Sequence, residues 1–508
     1  MKKILGISIV TATVLMAGGD LANMDSSYDE SLRAEIEALK ADISVLQEAS
    51  KQPSQSKGDK ENSKLLKKIK RLTKKINAVK AHDSKDNIKW SVDLRTALDN
   101  IEYKMADGTT KENNDLFSNR LWLNMAYSPA SNVIFKGQLG YNKAYGADMG
   151  NGRGRGYDQF DWITNESLTD DTIKLRQAYW LYLGKDFLGT GIPWTASLGR
   201  RPSTTGFLSH LREDDRPQSP LGHNIDVEFD GGSALFKLEE LTGVSGMSFK
   251  ICAGQGGTNA QARFSSDTSY TGDSSTKMDD IRLAGFIFVP YDNGQIKVKT
   301  NLFKAFNLPG MDMGANGLIP GLSSKGDQVG GVISVMLDGL SDDMDAEFLY
   351  ETKLFASYAV SETQPDTGKT MLGSADDERG DSYWVGAQVP VSFLGGKFGV
   401  EYNHGSQYWR SFTYAEDTMV GSKLAVRGDA IEAYYTQPLT KSLDAQIRYT
   451  KINYDYSGSN AFFGDDGNPM KISDIKAGAA AGDPMMQSMS GQIVEEAQDI
   501  RAYIRYRF

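Results

Sequence analysis

The sequence predicts an all-β transmembrane barrel of 16 antiparallel strands, with 18 as the alternative, behind an N-terminal α-helical coiled-coil segment. Three observations carry this reading. From Ile88 to the end, apolar and polar residues alternate with a two-residue period. The connections between the alternating segments are long and short by turns. The chain closes on Ile500, Ala502, Ile504, Tyr506 and Phe508 on one face, against Asp499, Arg501, Tyr503, Arg505 and Arg507 on the other.

The first residues fit a secretory signal, 1–22. Met1-Lys2-Lys3 is basic, Ile4 to Val14 is apolar but too short to span a bilayer, and small residues follow with cleavage between Ala17 and Ala22. No cysteine near that point supports a lipid anchor. Mean hydropathy is −0.43, and no later run is long enough for a helical span. One cysteine, Cys252, excludes an internal disulfide framework. A net charge of −10 argues against nucleic acid as a partner. That average hides a basic stretch, Lys57 to Lys80, where ten basic residues face only Asp59 and Glu61.

Two helical pieces follow, 23–50 and 64–82. Leu32, Ile36, Leu39, Ile43 and Leu46 recur at spacings of four and three, as do Leu65, Ile69, Leu72, Ile76 and Val79. Isoleucine at one seam position and leucine mostly at the other fit a parallel coiled coil of two or three strands. Pro53, in the linker 51–63, breaks the heptad phase. Each piece is short enough to need association for stability. The lysines of the second helix read either as a solvated face or as a contact for an anionic cell-wall polymer.

The barrel, 88–508, is expected to use strands at 88–97, 117–127, 132–141, 172–183, 193–201, 224–238, 246–256, 280–289, 295–304, 329–338, 344–358, 382–392, 397–405, 427–437, 443–454 and 498–508. Trp90, Val92 and Leu94 share a face; so do Ile173, Leu175, Tyr179, Leu181 and Leu183; so do Leu443, Ile447 and Tyr449. Gly231-Gly232 makes 224–238 the weakest of these strands. Long loops are expected at 98–116, 142–171, 202–223, 257–279, 305–328, 359–381, 406–426 and 455–497. Lipid tolerates only strands whose backbone groups are all paired, so the first strand must meet the last. The inward parity carries Arg95, Arg120, Lys136, Lys174, Arg176, Arg201, Lys250, Lys297, Lys299, Arg448, Arg501 and Arg505. Basic residues outnumber acidic ones on that face by roughly fourteen to nine, which predicts a mild anion preference for any pore.

Catalytic chemistry is hard to assemble from this chain, and no enzyme activity is expected. His82 and His404 stand apart, while His210 and His223 share a loop with Glu213, Asp214 and Asp215 in a spacing that matches no closed zinc pattern. No metal and no cofactor are implied there. The glycine-rich Gly152 to Gly156 follows no buried strand and precedes no helix, so it is not a phosphate cradle.

The closing Ile504-Arg505-Tyr506-Arg507-Phe508 resembles bacterial outer-membrane β-barrels, in which a terminal Phe with an aromatic two residues earlier is the assembly signal. Tyr506 and Phe508 would serve that role and engage the barrel assembly machinery. With the Gly199-Arg200-Arg201-Pro202 approach to the third long loop and the heptads ahead of the barrel, the whole chain resembles porin-like outer-membrane proteins with an N-terminal coiled coil. Many of these are classed as of unknown function. In architecture it is similar to trimeric general and phosphate-selective porins. The resemblance implies passive diffusion of small hydrophilic solutes, a homotrimer, an outer-membrane location surrounded by lipopolysaccharide, and a periplasmic coiled coil. It also implies a third loop folded into the barrel as a constriction, carrying Arg212, Glu213, Asp214, Asp215 and Arg216. No lysine ladder for phosphate matches. The acidic loop residues Asp170-Asp171, Asp376-Asp377-Glu378 and Asp465-Asp466 read as divalent-cation bridges to lipopolysaccharide or as solvated surface. Two rival readings are a structural or adhesive barrel with a blocked lumen and a conduit enclosing a partner protein.

Overall fold

The computed structural model describes residues 88–508 apart from 131, 146–172, 204–205, 219, 265–266, 273–277, 314–319, 342–345, 414–417 and 461–466. The signal, both heptad helices and their linker lie outside the described residues. Sixteen strands form one closed antiparallel sheet: β1 (Lys89–Met105), β2 (Thr110–Ala130), β3 (Val133–Ala144), β4 (Lys174–Gly184), β5 (Trp194–Ser203), β6 (Ile225–Lys237), β7 (Ser248–Gly257), β8 (Ile281–Asp292), β9 (Ile296–Met313), β10 (Pro320–Asp338), β11 (Lys353–Pro365), β12 (Arg379–Val391), β13 (Gly396–Gly405), β14 (Gly428–Pro438), β15 (Leu443–Tyr454) and β16 (Val494–Arg507). The count is the predicted one, and the alternative of 18 does not hold.

The seam joins β1 to β16. Leu94 lies opposite Tyr506, and Val92 and Phe508 exchange two backbone hydrogen bonds of 3.1 Å. Closure leaves the sheet no open edge, which is the condition for strands in lipid. Leu94, Trp180, Leu198, Ile251, Ile333, Val400, Ile447, Ile500 and Ile504 point outward and are each more than a third exposed. Charged side chains collect inside. Apolar outside and polar inside is the inverse of a soluble barrel and suits a bilayer. No helix of the described residues is long and apolar enough to cross a membrane.

Several expected boundaries move. The loop expected at 98–116 is instead the end of a tall hairpin, because β1 runs 17 residues and β2 runs 21 around a turn at 106–109. Likewise, β9 and β10 extend through most of 305–328. Strands of this length exceed the roughly 9–11 residues a bilayer needs, so both hairpins stand proud of it. Hidden apolar side chains explain the first case: Ile101 is buried against residues from the long loops at that end. The strand expected at 344–358 starts only at Lys353, after a helical turn at Glu347–Glu351. The connection 455–497 contains two short helices, Ile472–Ala480 and Pro484–Ser490. Asp483 caps the second through the backbone N–H groups of Met485 and Met486.

In β4 the face assignment fails halfway. The ladder with β3 jumps from Gln138 opposite Gln177 to Leu139 opposite Leu175, so a bulge at Arg176 reverses the parity. Leu175 and Trp180 face outward, whereas Tyr179 is 8% exposed inside and Leu181 lines the lumen. The 224–238 segment, by contrast, is an unbroken strand. Gly199, Gly231 and Gly254 form a row across β5, β6 and β7. A Cβ on Gly231 would come within 2.3 Å of the Ala253 carbonyl oxygen, so glycine there lets neighbouring backbones close up.

The outward position Ile447 sits in the middle of β15 opposite Ala502. Ile447→Lys is expected to lower stability in lipid vesicles by about 2–4 kcal/mol, measured by denaturant unfolding. Unchanged stability would argue that this face does not meet lipid.

Candidate functional site

The interior is organised by two connections that fold inward from the long-loop end. The β5–β6 loop, within 204–224, descends along the lumen, and its helical turn His210–Glu213 is wholly buried. The β13–β14 loop, 406–427, buries Trp409, Phe412, Lys423, Leu424 and Arg427. The two meet where Phe412-Thr413 pairs in parallel with Ile225-Asp226 at the start of β6.

Ion pairs fix the first loop to the wall. The Glu213 carboxylate accepts hydrogen bonds from Arg448 Nη1 at 3.2 Å and Tyr503 Oη at 3.1 Å, with Arg95 at 3.7 Å and Arg505 at 3.6 Å. Arg505 donates Nε to Asp93 at 2.9 Å, Nη1 to the Glu213 carbonyl at 2.9 Å and Nη2 to Asp215 at 3.0 Å. Arg212 reaches across to Glu432, donating Nη1 to both carboxylate oxygens at 3.1 Å. Glu432 also accepts from Lys423 of the second loop at 2.6 Å, and Lys423 spans to Glu401 at 2.6 Å. Gln388 and Gln446 donate to the carbonyls of Leu211 and Arg212, each at 2.9 Å. Asp214 receives Lys397 at 2.8 Å, and Asp215 also receives Arg507 at 3.3 Å, so the loop tip reaches strand ends beside the short turns.

Titration follows the same geometry. Burial pushes the Asp214 carboxyl up, but the hydrogen bond and charge of Lys397 outweigh it and leave the group below its ordinary value. Burial raises Asp215, with Arg505 opposing only in part and Glu213 adding to the rise. Burial drives the His210 imidazole down to about 3, helped by the nearby cations Lys353, Lys299 and Lys297. His223 also falls to about 3 through burial. Its ring nitrogens contact Ser357 Oγ at 2.8 Å and Ser382 Oγ at 3.0 Å, between Trp384 and Trp409. His210 instead accepts the Leu208 N–H at 3.1 Å. These two histidines and the loop carboxylates do not converge, and no cluster suited to a metal occurs among the described residues.

The sequence-selected cations divide into two groups. Arg95, Arg120, Arg448, Arg501 and Arg505 are 5% exposed or less and neutralise carboxylates around the loop. Arg501 holds Asp99 at 2.5 Å, and Arg120 stacks on Trp122 with its guanidinium 3.7 Å from the ring centre. Arg176 stacks on that ring too, at 4.1 Å, and donates to Gln138 at 2.8 Å. Lys136, Lys174, Lys250, Lys297 and Lys299 lie on the opposite arc, β3 to β9, and are all less deeply buried. Lys297 pairs with Asp338 at 2.6 Å, and Lys299 stands 4.0 Å from Asp292 and 4.3 Å from the centre of the Phe207 ring. Arg201 pairs in register with Phe229 of β6, and Arg216 is exposed at the loop tip. Tyr506 and Phe508 lie at the seam, their rings 5.9 Å apart.

Beside this arc the lumen keeps a cavity of about 400 Å³. Its wall is β4 and β6–β9, and its inner side is formed by Pro217, Gln218, Pro220 and Leu221 of the loop's returning limb. Sequence reasoning missed this chamber and the second infolded loop. The one available signal for the chamber was β8, whose Ile281, Leu283, Ile287 and Val289 alternate with a second apolar set, Phe286 and Phe288.

A family model described as "Protein of unknown function (DUF3373)" matches residues 110–508. No curated protein matches the chain. Among solved structures, an anion-selective porin from Comamonas acidovorans aligns at 12% identity and TM-score 0.45, covering 83% of this chain and 99% of the other. OprB of Pseudomonas putida aligns at 14% and 0.45, covering 84% and 96%. OmpF of Salmonella typhi, in complex with daunomycin, aligns at 12% and 0.43, covering 84% and 99%.

Two outcomes are expected from the loop. Glu213→Gln strands buried guanidinium groups and should cost about 3–5 kcal/mol, read as lower resistance of the folded barrel to denaturant. The two histidines set a pH window. Their folded pKa values lie below the unfolded 6.5, so their contribution is complete above pH 6.5 and drains away as pH falls toward about 3. Emission from Trp384 and Trp409 should shift to the red on acidification through that range; a constant spectrum down to its lower end would contradict the assignment.

Proposed function

The chain belongs to the DUF3373 family, and we propose that within it this protein is an outer-membrane channel for passive diffusion of small solutes, with a mild preference for anions. The observation that carries the reading is the asymmetry of the lumen. One arc is sealed by the infolded loops and their compensated ion pairs. The other keeps a chamber bordered by Lys250 and Lys299 against Asp292. A wall with surplus positive charge favours anions. In this arrangement the β5–β6 loop is the constriction, with Arg212 and Glu213 as anchors and Asp214, Asp215 and Arg216 at its tip. The tall hairpins and long loops face outward from the cell, and the short turns face the periplasm. The heptads ahead of the barrel would hold a homotrimer there.

The reading is passive transport rather than catalysis: the buried acids and bases around Glu213 are committed to one another. The rival reading is a barrel with a blocked lumen. It is favoured by the apolar packing of Phe412 and Met371 from the loops against Ile225, Phe229, Leu283 and Phe303.

Purified protein in planar bilayers separates the two. The channel should give discrete conductance steps and, in a KCl gradient, a reversal potential of the sign set by chloride. Lys250→Glu with Lys299→Glu should move that potential toward cation preference. Absence of conductance would support the blocked barrel, and cation selectivity of the unaltered protein would remove the lumenal charge argument.

A further inference from the structure

The chamber beside β4–β9 is built differently from a water-filled passage. Inward positions of a channel wall are expected to be polar, yet here Leu181, Leu235, Ile287 and Val289 point into the lumen from three strands. Phe207 and Leu221 of the infolded loop complete the apolar lining, and both are almost wholly buried. The rest of the lining is polar and comparable in extent, with Tyr179, Gln218 and Ser248 contributing to it. Lys250 on β7 and Lys299 on β9 border the space, with Asp292 as the one acidic side chain in the lining. Gly246, Ser248 and Asp292 place the chamber beside the short turns. The volume, about 400 Å³, is that of a small-molecule site, and an apolar patch set against charged and polar groups can select a ligand with both characters.

We propose that this chamber binds organic anions with an apolar body, aromatic or short-chain aliphatic acids, the acid group meeting Lys250 and Lys299 and the body lying on Leu181, Leu235, Ile287 and Val289. A hydrated inorganic anion gains nothing from those side chains. An anion of the same size covered in hydroxyls would have to give up water to reach them. The lysine pair therefore selects the charge, and the aliphatic wall selects the body. The inference deepens the channel reading by naming a solute class, and it depends on that reading for the solute's route.

Hexanesulfonate and gluconate supply the test, since both have six carbons and both are anionic at neutral pH. Calorimetric titration of the full-length protein in detergent, with detergent alone as blank, should show hexanesulfonate binding at least tenfold tighter than gluconate, the effect of about two buried methylene groups. Ile287→Asn should remove most of that difference, whereas Lys299→Gln should weaken both anions about equally. The near-isosteric Val289→Thr keeps the fold and should weaken hexanesulfonate several-fold without affecting gluconate. Equal binding of the two anions, or tight binding that survives these substitutions, would overturn the proposal. Chloride conductance recorded on the same preparation separates the two claims. Chloride current without the hexanesulfonate preference rejects the chamber's selectivity alone, and selective binding without current rejects the channel alone.

Discussion

A peptide group in hydrocarbon has nothing to bond to except another peptide group, and the rest of this fold follows from that constraint. The sheet must close, so a strand at the start of the barrel has to meet one more than 400 residues later in the chain, as Asp93 does with Arg507. Closure then fixes parity. Once Leu94 and Tyr506 face outward, Asp93, Arg95, Arg505 and Asp99 have no direction but inward. The charged interior is thus a consequence of a greasy exterior and a two-residue repeat, before any solute is considered.

Burying that many ions inside a barrel would be ruinous without compensation. Compensation comes from a loop whose sequence, Arg212-Glu213-Asp214-Asp215-Arg216, sets three carboxylates between two arginines. Each of its first four charged groups finds a wall residue of opposite sign: Arg212 on Glu432, Glu213 on Arg448 and Arg505, Asp214 on Lys397, Asp215 on Arg505 and Arg507. The second loop repeats the device with Lys423 between Glu401 and Glu432. Wall and loops are therefore one electrostatic unit. A wall arginine taken alone would be read as a pore residue, but here it is the far half of a loop anchor.

Strand number and closure were legible in the sequence because each depends on a period sustained over hundreds of residues. Local departures were not. A single bulge at Arg176 turned Tyr179 and Leu181 from the lipid face to the lumen, and a period count carries no mark of one inserted residue. The height of the β1–β2 hairpin was hidden because polar residues such as Asn113 and Asn114 read as loop, although above a membrane a polar ladder pairs as well as an apolar one. The charged third loop announced itself through its clustered acids and arginines. The β13–β14 loop did not, because Trp409, Phe412 and Leu424 look like ordinary loop apolars until the wall that receives them is known.

The same logic explains why the two halves of the lumen differ. Carboxylates and guanidinium groups concentrate on β1, β2 and β13–β16, where the loops dock, and there the side chains consume one another's charge. The arc from β4 to β9 receives the returning limb of the β5–β6 loop, which carries Pro217, Pro220 and Leu221 and no charged residue, together with Phe412 and Met371 from two other loops. A limb without charge makes no ion pair with the wall, and the strands facing it set Leu235 and Ile287 beside Ser248, Lys250 and Lys299. Lys250 and Lys299 border the chamber, with Asp292 4.0 Å from Lys299. A chamber of mixed lining is what remains where the infolded β5–β6 loop makes its ion pairs with one side of the barrel.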